Sequence, residues 1–320
     1  SAAGCACGNP EMAAVMVGRI SFLLGLHGPC TQTDTACSSS LVACHGAFRA
    51  VQRSECAMSI VGGVSMLFTS SFGAGMAMAA MTSATGRSKA FDKRADGYAR
   101  AEACCTAVMS VQRDDLHWSA FSFGGSAVRQ DGKSASLTAP NGQAQQGLLT
   151  AALADAAVSA SELILHQAHG TGTSLGDPVE AGSLSATVLQ ARMPAAAPLI
   201  SGGVKANLGH AEPAAAVTGL MQLVLGMQQS KSVANVQLRV LNPLLIESLK
   251  RSNWKLPVQL SILSTKGHAG VSSFGYSGTI THAALEAIRW DCESAASPSI
   301  AALVYRRYAF LWDDSFHPFA

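Results

Sequence analysis

The sequence predicts a layered α/β fold. Short apolar runs suited to buried strands alternate with segments of helical periodicity. Glycines and hydroxyl residues gather where those runs end, as sharp turns at strand exits require. With 320 residues, 48% hydrophobic content and 30 glycines, the chain can bury one large domain or two fused halves.

The elements follow in order. After the Gly28-Pro29 turn signal, Leu41, Val42, Phe48 and Val51 recur at helical spacing, which puts Cys37 at or just before a helix N-terminus. Residues 57–64 and 101–111 read as buried strands. The uncharged stretch 56–86 is long enough to span a bilayer, but Gly62, Gly63, Ser65, Thr69, Ser70, Ser71 and Gly73 interrupt it, so a buried core segment is the better reading. Leu148, Leu149, Ala152 and Leu153 predict an amphipathic helix over 143–156, followed by a strand at 163–167. Asp177-Pro178 resembles an N-cap with proline at the first helical position, opening a helix to about residue 188. A strand is expected at 199–204 and a nearly uncharged, buried helix at 213–227. Residues 191–198 read as a surface loop, and 304–312 as an extended strap.

Charge excludes one class of function. Twenty-two basic against twenty acidic residues leave +2 with no basic stripe, so nucleic-acid binding has no electrostatic footprint. Nine cysteines form an odd set without a C-x-x-C pair, which argues against a disulfide framework and fits a reducing intracellular compartment, cytoplasm or plastid. His166 and His169 form an H-x-x-H pair with no further ligand at metal spacing, so no metal is expected. No signal peptide is visible, and the initial serine suggests a fragment or a processed product.

Four segments carry candidate chemistry. Cys37 sits where unpaired helical amides stabilise a thiolate, which can bring a cysteine pKa from about 8.5 toward neutrality. A lone cysteine is nonetheless more often a buried structural residue. His169 opens the glycine–hydroxyl loop 169–173 at the end of an apolar run, and His210 closes Lys205-Ala-Asn-Leu-Gly-His210 before a buried helix. The glycine-rich segment 272–279 reads either as a supplier of a backbone N–H to the thiol or as a plain hairpin turn.

Together, DTACSSSLVA around Cys37, AHGTGTSLGDPVEA around His169, KANLGH and SSFGYSGT resemble a β-ketoacyl synthase of the polyketide synthase type. The fragments GRISF, KAFDKRADGY and LTAPNG occur in the family's order too. The resemblance implies a thiolase-like layered αβαβα fold with an incomplete N-terminal half. It divides the chain into the remainder of the N-terminal half (1–112), a C-terminal half (113–290) and a linker or strap (291–320). It further implies decarboxylative Claisen condensation in polyketide or fatty acid biosynthesis. Cys37 would take the acyl chain and His169 and His210 would bind the enolate, with Lys205 orienting His210. Cys37, Phe274 and Gly275 would form the oxyanion hole. Thr171 and Thr173 would hold the substrate's pantetheine arm, Phe274 would gate the pocket, and Asp96 and Glu102 would support the lysine and the loops. No cofactor would be bound directly, because substrates ride on the phosphopantetheine of an acyl carrier protein. That carrier protein is the implied partner, with a homodimer in the full-length protein and neither nucleic acid nor membrane.

This sequence departs from the family at Ala101 and Ala103, where glycines are usual, at Ala216, and at Ile280, where asparagine normally fixes the loop. Only thirty-six residues precede Cys37. The competing expectation is therefore a truncated, inactive ketosynthase serving as a scaffold or docking module. A hydrolase or another acyltransferase using Cys37 with one histidine would leave Lys205 and the second histidine idle.

Overall fold

A computed structural model describes residues 13–111, 121–246, 252–263 and 267–287. The strap and the first twelve residues lie outside these. In chain order come α1 (Ala13–Leu24), α2 (Ser39–Gln52), β1 (Met58–Ser65), α3 (Ser70–Met78) and β2 (Ala103–Ser110). Then follow β3 (Phe121–Gln130), α4 (Gly142–Asp155), β4 (Leu163–Gln167), and α5 (Gly176–Leu184) running into a π-helical turn at Ser185–Leu189. Next are β5 (Leu199–Gly202), the single turn α6 (Lys205–Leu208), α7 (Ala215–Gln228), β6 (Lys231–Ser232), β7 (Trp254–Lys255), β8 (Ser261–Ile262), β9 (His268–Phe274) and β10 (Thr279–Ala287).

Six strands form the main sheet in the order β3-β10-β9-β4-β5-β7. The hairpin β9–β10 is antiparallel, whereas β9, β4, β5 and β7 run parallel to one another. Each face of this sheet carries helices. On one side Leu149 and Leu153 of α4 and Leu184 of α5 pack with Leu163, Leu199 and Trp254. On the other, Leu41 and Cys44 of α2 and Val217, Leu220 and Leu223 of α7 pack with Leu165, Val271 and Leu285. Val61 of β1 and Met109 of β2 close over the far side of α2 and α7, giving an α-β-α-β stack. Full burial of each such leucine stabilises the fold by about 1.5–3 kcal/mol.

The local reasons are legible. Asn141 caps α4, its side-chain oxygen accepting from the amides of Gln143 and Ala144, a device worth about 1 kcal/mol. The antiparallel pair β1–β2 is buried on alternate residues only. Segment 56–86 is thus half-buried, not the continuous core expected: Met58, Ile60, Val64, Phe68, Phe72 and Met78 are exposed, and α3 has no buried residue. Among the described residues no helix is long and apolar enough to cross a membrane. Neither Ala101 nor Ala103 has a positive φ, so the absence of glycine there costs the backbone nothing. Ile280 is fully buried in β10, opposite Phe274, and is held there by packing instead of by the side-chain hydrogen bonds an asparagine would make.

A buried polar chain crosses the sheet. Trp254 Nε1 donates to Ser201 Oγ at 2.6 Å, Ser201 meets His166 Nδ1 at 3.3 Å, His166 Nε2 meets Ser272 Oγ at 3.1 Å, and Ser272 meets His282 Nδ1 at 2.9 Å. Burial lowers the pKa of His166 to about 4; burial and the neighbouring His166 lower that of His282 to about 3. The unfolded chain protonates both near 6.5, so their contribution to stability is complete above that pH and is lost as pH falls toward 4 and 3. Between pH 6 and 4 these two histidines together are expected to contribute about 2.7 kcal/mol of lost stability per pH unit. His166→Leu should lower the measured slope of stability against pH by about 1.4 kcal/mol per unit. Calorimetry across this range checks it, and an unchanged slope would show that His166 is not held neutral by burial.

Candidate active site

The cysteine loop is shaped by its own polar side chains. Asp34 Oδ1 accepts from the Ala36 amide at 3.0 Å, and Ala36 takes φ 55°, a left-handed bend that aims Cys37 inward just before the N-cap Ser38. Each serine that follows has a separate task. Ser38 Oγ donates to the Thr35 and Thr279 carbonyls, Ser39 Oγ to the Ala36 carbonyl, and Ser40 Oγ accepts from the Val217 amide in α7. From β9, Ser273 Oγ donates to the Cys37 carbonyl at 2.8 Å. Gly275 packs so closely on the Thr35 carbonyl that a Cβ there would overlap it.

Three chain segments converge on the thiol. His210 Nε2 lies 3.1 Å from Cys37 Sγ. The rings of His169 and His210 meet edge-on with centroids 5.8 Å apart, and Phe274 packs on His169 at 5.2 Å. The Phe274 amide donates to His169 Nδ1 at 3.2 Å, and the Glu212 amide to His210 Nδ1 at 3.1 Å. A nitrogen that accepts cannot carry the proton, so both neutral imidazoles are protonated at Nε2. His210 therefore donates to Cys37 Sγ and cannot act as its base. The amides of Cys37 and Tyr276 also face the sulfur and favour its ionised form.

Several expected positions shift. The Phe274 amide is used by His169 and the Gly275 amide by the Thr279 carbonyl, and the hairpin amide that faces the thiol is that of Tyr276. The hairpin is both the turn and the amide supplier. Lys205 Nζ donates to the carbonyl of His169, not to His210. Asp96 accepts from Lys89 Nζ at 2.6 Å and from Ser83, next to the Gly97 amide that donates to the Gly172 carbonyl of loop 169–173, and Glu102 accepts from the Leu67 amide on the surface; neither carboxylate is hydrogen-bonded to Lys205. The carboxylates that support loop 169–173 are Asp177 and Glu180, three residues apart on one face of α5. Glu180 accepts from the amides of His169 and Gly170; Asp177 accepts from those of Phe91 and Gly172. Asp177 is thus turned inward, not capping its own helix, whose N-cap is Leu175. Thr171 and Thr173 share a 3.2 Å hydroxyl contact, and Thr173 Oγ1 also accepts from the Gly176 amide at the start of α5.

Family models for the β-ketoacyl synthase N-terminal and C-terminal domains match residues 2–115 and 121–239. The chain belongs to the β-ketoacyl synthase family. It is 38% identical over 299 residues to a phenolphthiocerol/phthiocerol polyketide synthase component of Mycobacterium tuberculosis, covering 91% of this chain and 16% of that protein. It is 38% identical over 313 residues to a component of the pikromycin polyketide synthase of Streptomyces venezuelae, covering 93% and 8%. Among solved structures, the ketosynthase from module 6 of the bacillaene synthase of Bacillus subtilis 168 superposes with a TM-score of 0.82 at 32% identity, over 87% of this chain and 51% of the other. The fold is the thiolase-like α/β fold of the ketosynthases, and the chain spans a small fraction of the curated relatives' length.

Electrostatics sets the resting state. Burial pushes the Cys37 thiol up to about 11, Lys205 opposes this, and Glu212 adds to it. The expected drop toward neutrality is thus outweighed by the loss of water around the sulfur. Burial holds both His169 and His210 far below the usual imidazole range, with Lys205 adding repulsion, so both stay neutral. Burial likewise raises Glu180 and lowers Lys205, each partly offset by the other's charge. Alkylation of Cys37 by iodoacetamide is expected to rise about tenfold per pH unit from 7 to 10, and Lys205→Met to slow it several-fold at pH 8. Quenched-flow mass spectrometry reads both; a plateau near pH 7 would show that the donors facing the sulfur outweigh burial.

Proposed function

We propose that the chain is a condensing enzyme domain that joins a malonyl unit to an acyl chain held on Cys37. The observation that carries this reading is the pair of Nε2–H donors, His169 and His210, gathered beside one thiol. In the first half-reaction Cys37 Sγ attacks an acyl thioester. The tetrahedral oxygen is held by the Cys37 and Tyr276 amides, the C–S bond to the donor breaks, and the departing sulfur takes up the proton that Cys37 gives up, so the donor leaves as its thiol. In the second, a malonyl thioester loses carbon dioxide. The electron pair of the broken C–C bond passes into an enolate whose oxygen accepts from His169 and His210. The enolate carbon then attacks the Cys37 thioester and expels the sulfur. Loss of one such donor costs about a hundred- to a thousand-fold in rate.

In this proposal both acyl groups arrive on the phosphopantetheine of an acyl carrier protein, no cofactor is bound directly, and Thr171 and Thr173 line the arm's approach. Phe274, packed on His169, gates the acyl pocket. Lys205, whose charge is offset by those of Glu180 and Asp177, ties the His169 carbonyl and so fixes that loop. The division into thiolase-like halves at 1–112 and 113–290, with a linker at 291–320, is supported by the two family matches meeting near residue 120. A homodimer in the full-length protein follows from the same kinship. The bacterial relatives support the cytoplasm over the plastid. The assembled site argues against an inactive scaffold, since decay erodes the costly buried groups first.

Intact-mass analysis after incubation with an acyl thioester should show one acyl adduct, absent from Cys37→Ala. His169→Ala should keep acylation and lose about a hundred-fold or more in diketide formation from malonyl-carrier protein. A folded native chain without an adduct would overturn the enzymatic reading.

A further inference from the structure

We propose that Glu212 is a positioning residue for His210: its carboxylate clamps residues 98–100 to the turn carrying the imidazole, and its own amide selects the nitrogen that faces Cys37. The residue is buried at 8% exposure and holds φ 43°, in the left-handed region that non-glycine residues avoid. Its carboxylate takes Arg100 Nε at 2.7 Å and Nη2 at 2.9 Å, a bidentate pair, and Tyr98 Oη donates to it at 3.2 Å. The Tyr98 ring meets the His210 ring edge-on at 4.8 Å. Between them, the His210 amide donates to the Ala99 carbonyl at 2.7 Å and the Ala101 amide to the His210 carbonyl at 2.9 Å. Arg100 is itself seated over Phe72 at 4.8 Å.

Apart from the Cys37 sulfur and the His169 ring, the contacts that orient His210 come from Glu212 or from the 98–101 segment that Glu212 ties down. The ring plane is fixed by Tyr98, the main chain by Ala99 and Ala101, and the tautomer by the Glu212 N–H at 3.1 Å. Strain at φ 43° persists because the carboxylate is held from two sides. The negative charge itself works against ionising the thiol. A carboxylate that hinders the nucleophile electrostatically contributes here through the geometry it enforces.

The rate arm of the test rests on the condensing reading; the spectroscopic arm does not. In the native chain labelled with ¹⁵N-histidine, His210, assigned by its loss in His210→Ala, should show one protonated and one bare nitrogen. Glu212→Ala and Glu212→Gly should average the two, and Glu212→Gln, which keeps an oxygen for Arg100, should retain the native pattern. The glycine variant relieves the backbone strain, so a lost tautomer there isolates the clamp. If neither the alanine nor the glycine variant folds, Arg100→Gln, which leaves the Glu212 main chain untouched, takes their place with the same expectation. Diketide formation should fall about 100-fold in the clamp variants while Cys37 acylation stays within about threefold, since misplacing one group by an ångström costs that much. A native tautomer in Glu212→Gly, or in Arg100→Gln where that variant stands in, overturns the proposal, as does an equal loss of acylation and condensation. A native chain that makes no diketide overturns the condensing reading alone, and the tautomer still decides the clamp.

Discussion

Two backbone amides govern this site. The N–H groups of Phe274 and Glu212 each occupy the Nδ1 of a histidine, and an imidazole kept neutral by burial then has its remaining proton at Nε2. Everything else serves that arrangement. Asp177 and Glu180 hold the His169 loop through three of its amides, Lys205 ties its carbonyl, and the hairpin brings the Phe274 amide to His169 and the Tyr276 amide toward Cys37. Donors fixed in place before charge develops need no reorganisation when it does, which is the physical basis of electrostatic catalysis.

The arrangement is costly to fold. Ala36, Phe91 and Glu212 all adopt positive φ close to the site, at about 1–2 kcal/mol each. Asp177, Glu180 and Lys205 are buried, where charges must be paired and hydrogen-bonded to be tolerated. Such strain is stable only where its surroundings over-determine it, and here the two apolar clusters on either face of the six-stranded sheet provide that rigidity.

Much of this was legible in the sequence wherever the signal was local. Helices α4 and α7 and strand β4 follow from apolar periodicity within one element, and Cys37, His169 and His210 from residue types at strand exits and a helix start. Strands β3 and β9, rich in serine and glycine, and β10, rich in alanine and threonine, were not, because they are buried by tertiary packing and not by alternation of their own. The choice of Tyr276 over Phe274 depends on which hairpin amides are already engaged, a matter of register that residue identity does not encode. Asp177 and Glu180 stood inside a motif read for its glycines and histidine. Their spacing of three, one face of a helix, was the available signal.

The thiol loop and the hairpin that completes it are joined by the Ser38–Thr279 contact, which spans 241 positions of the chain. A ribosome therefore produces the Cys37 loop long before it produces the hairpin that closes over it. Until β9 and β10 dock, Cys37 lacks Tyr276, Ser273 and the correctly turned His169, and is an ordinary thiol. Closing such a distant contact is slow compared with forming local helices. The thiol's donors and its burial thus arrive together with β9 and β10, and its raised pKa belongs to the docked chain alone.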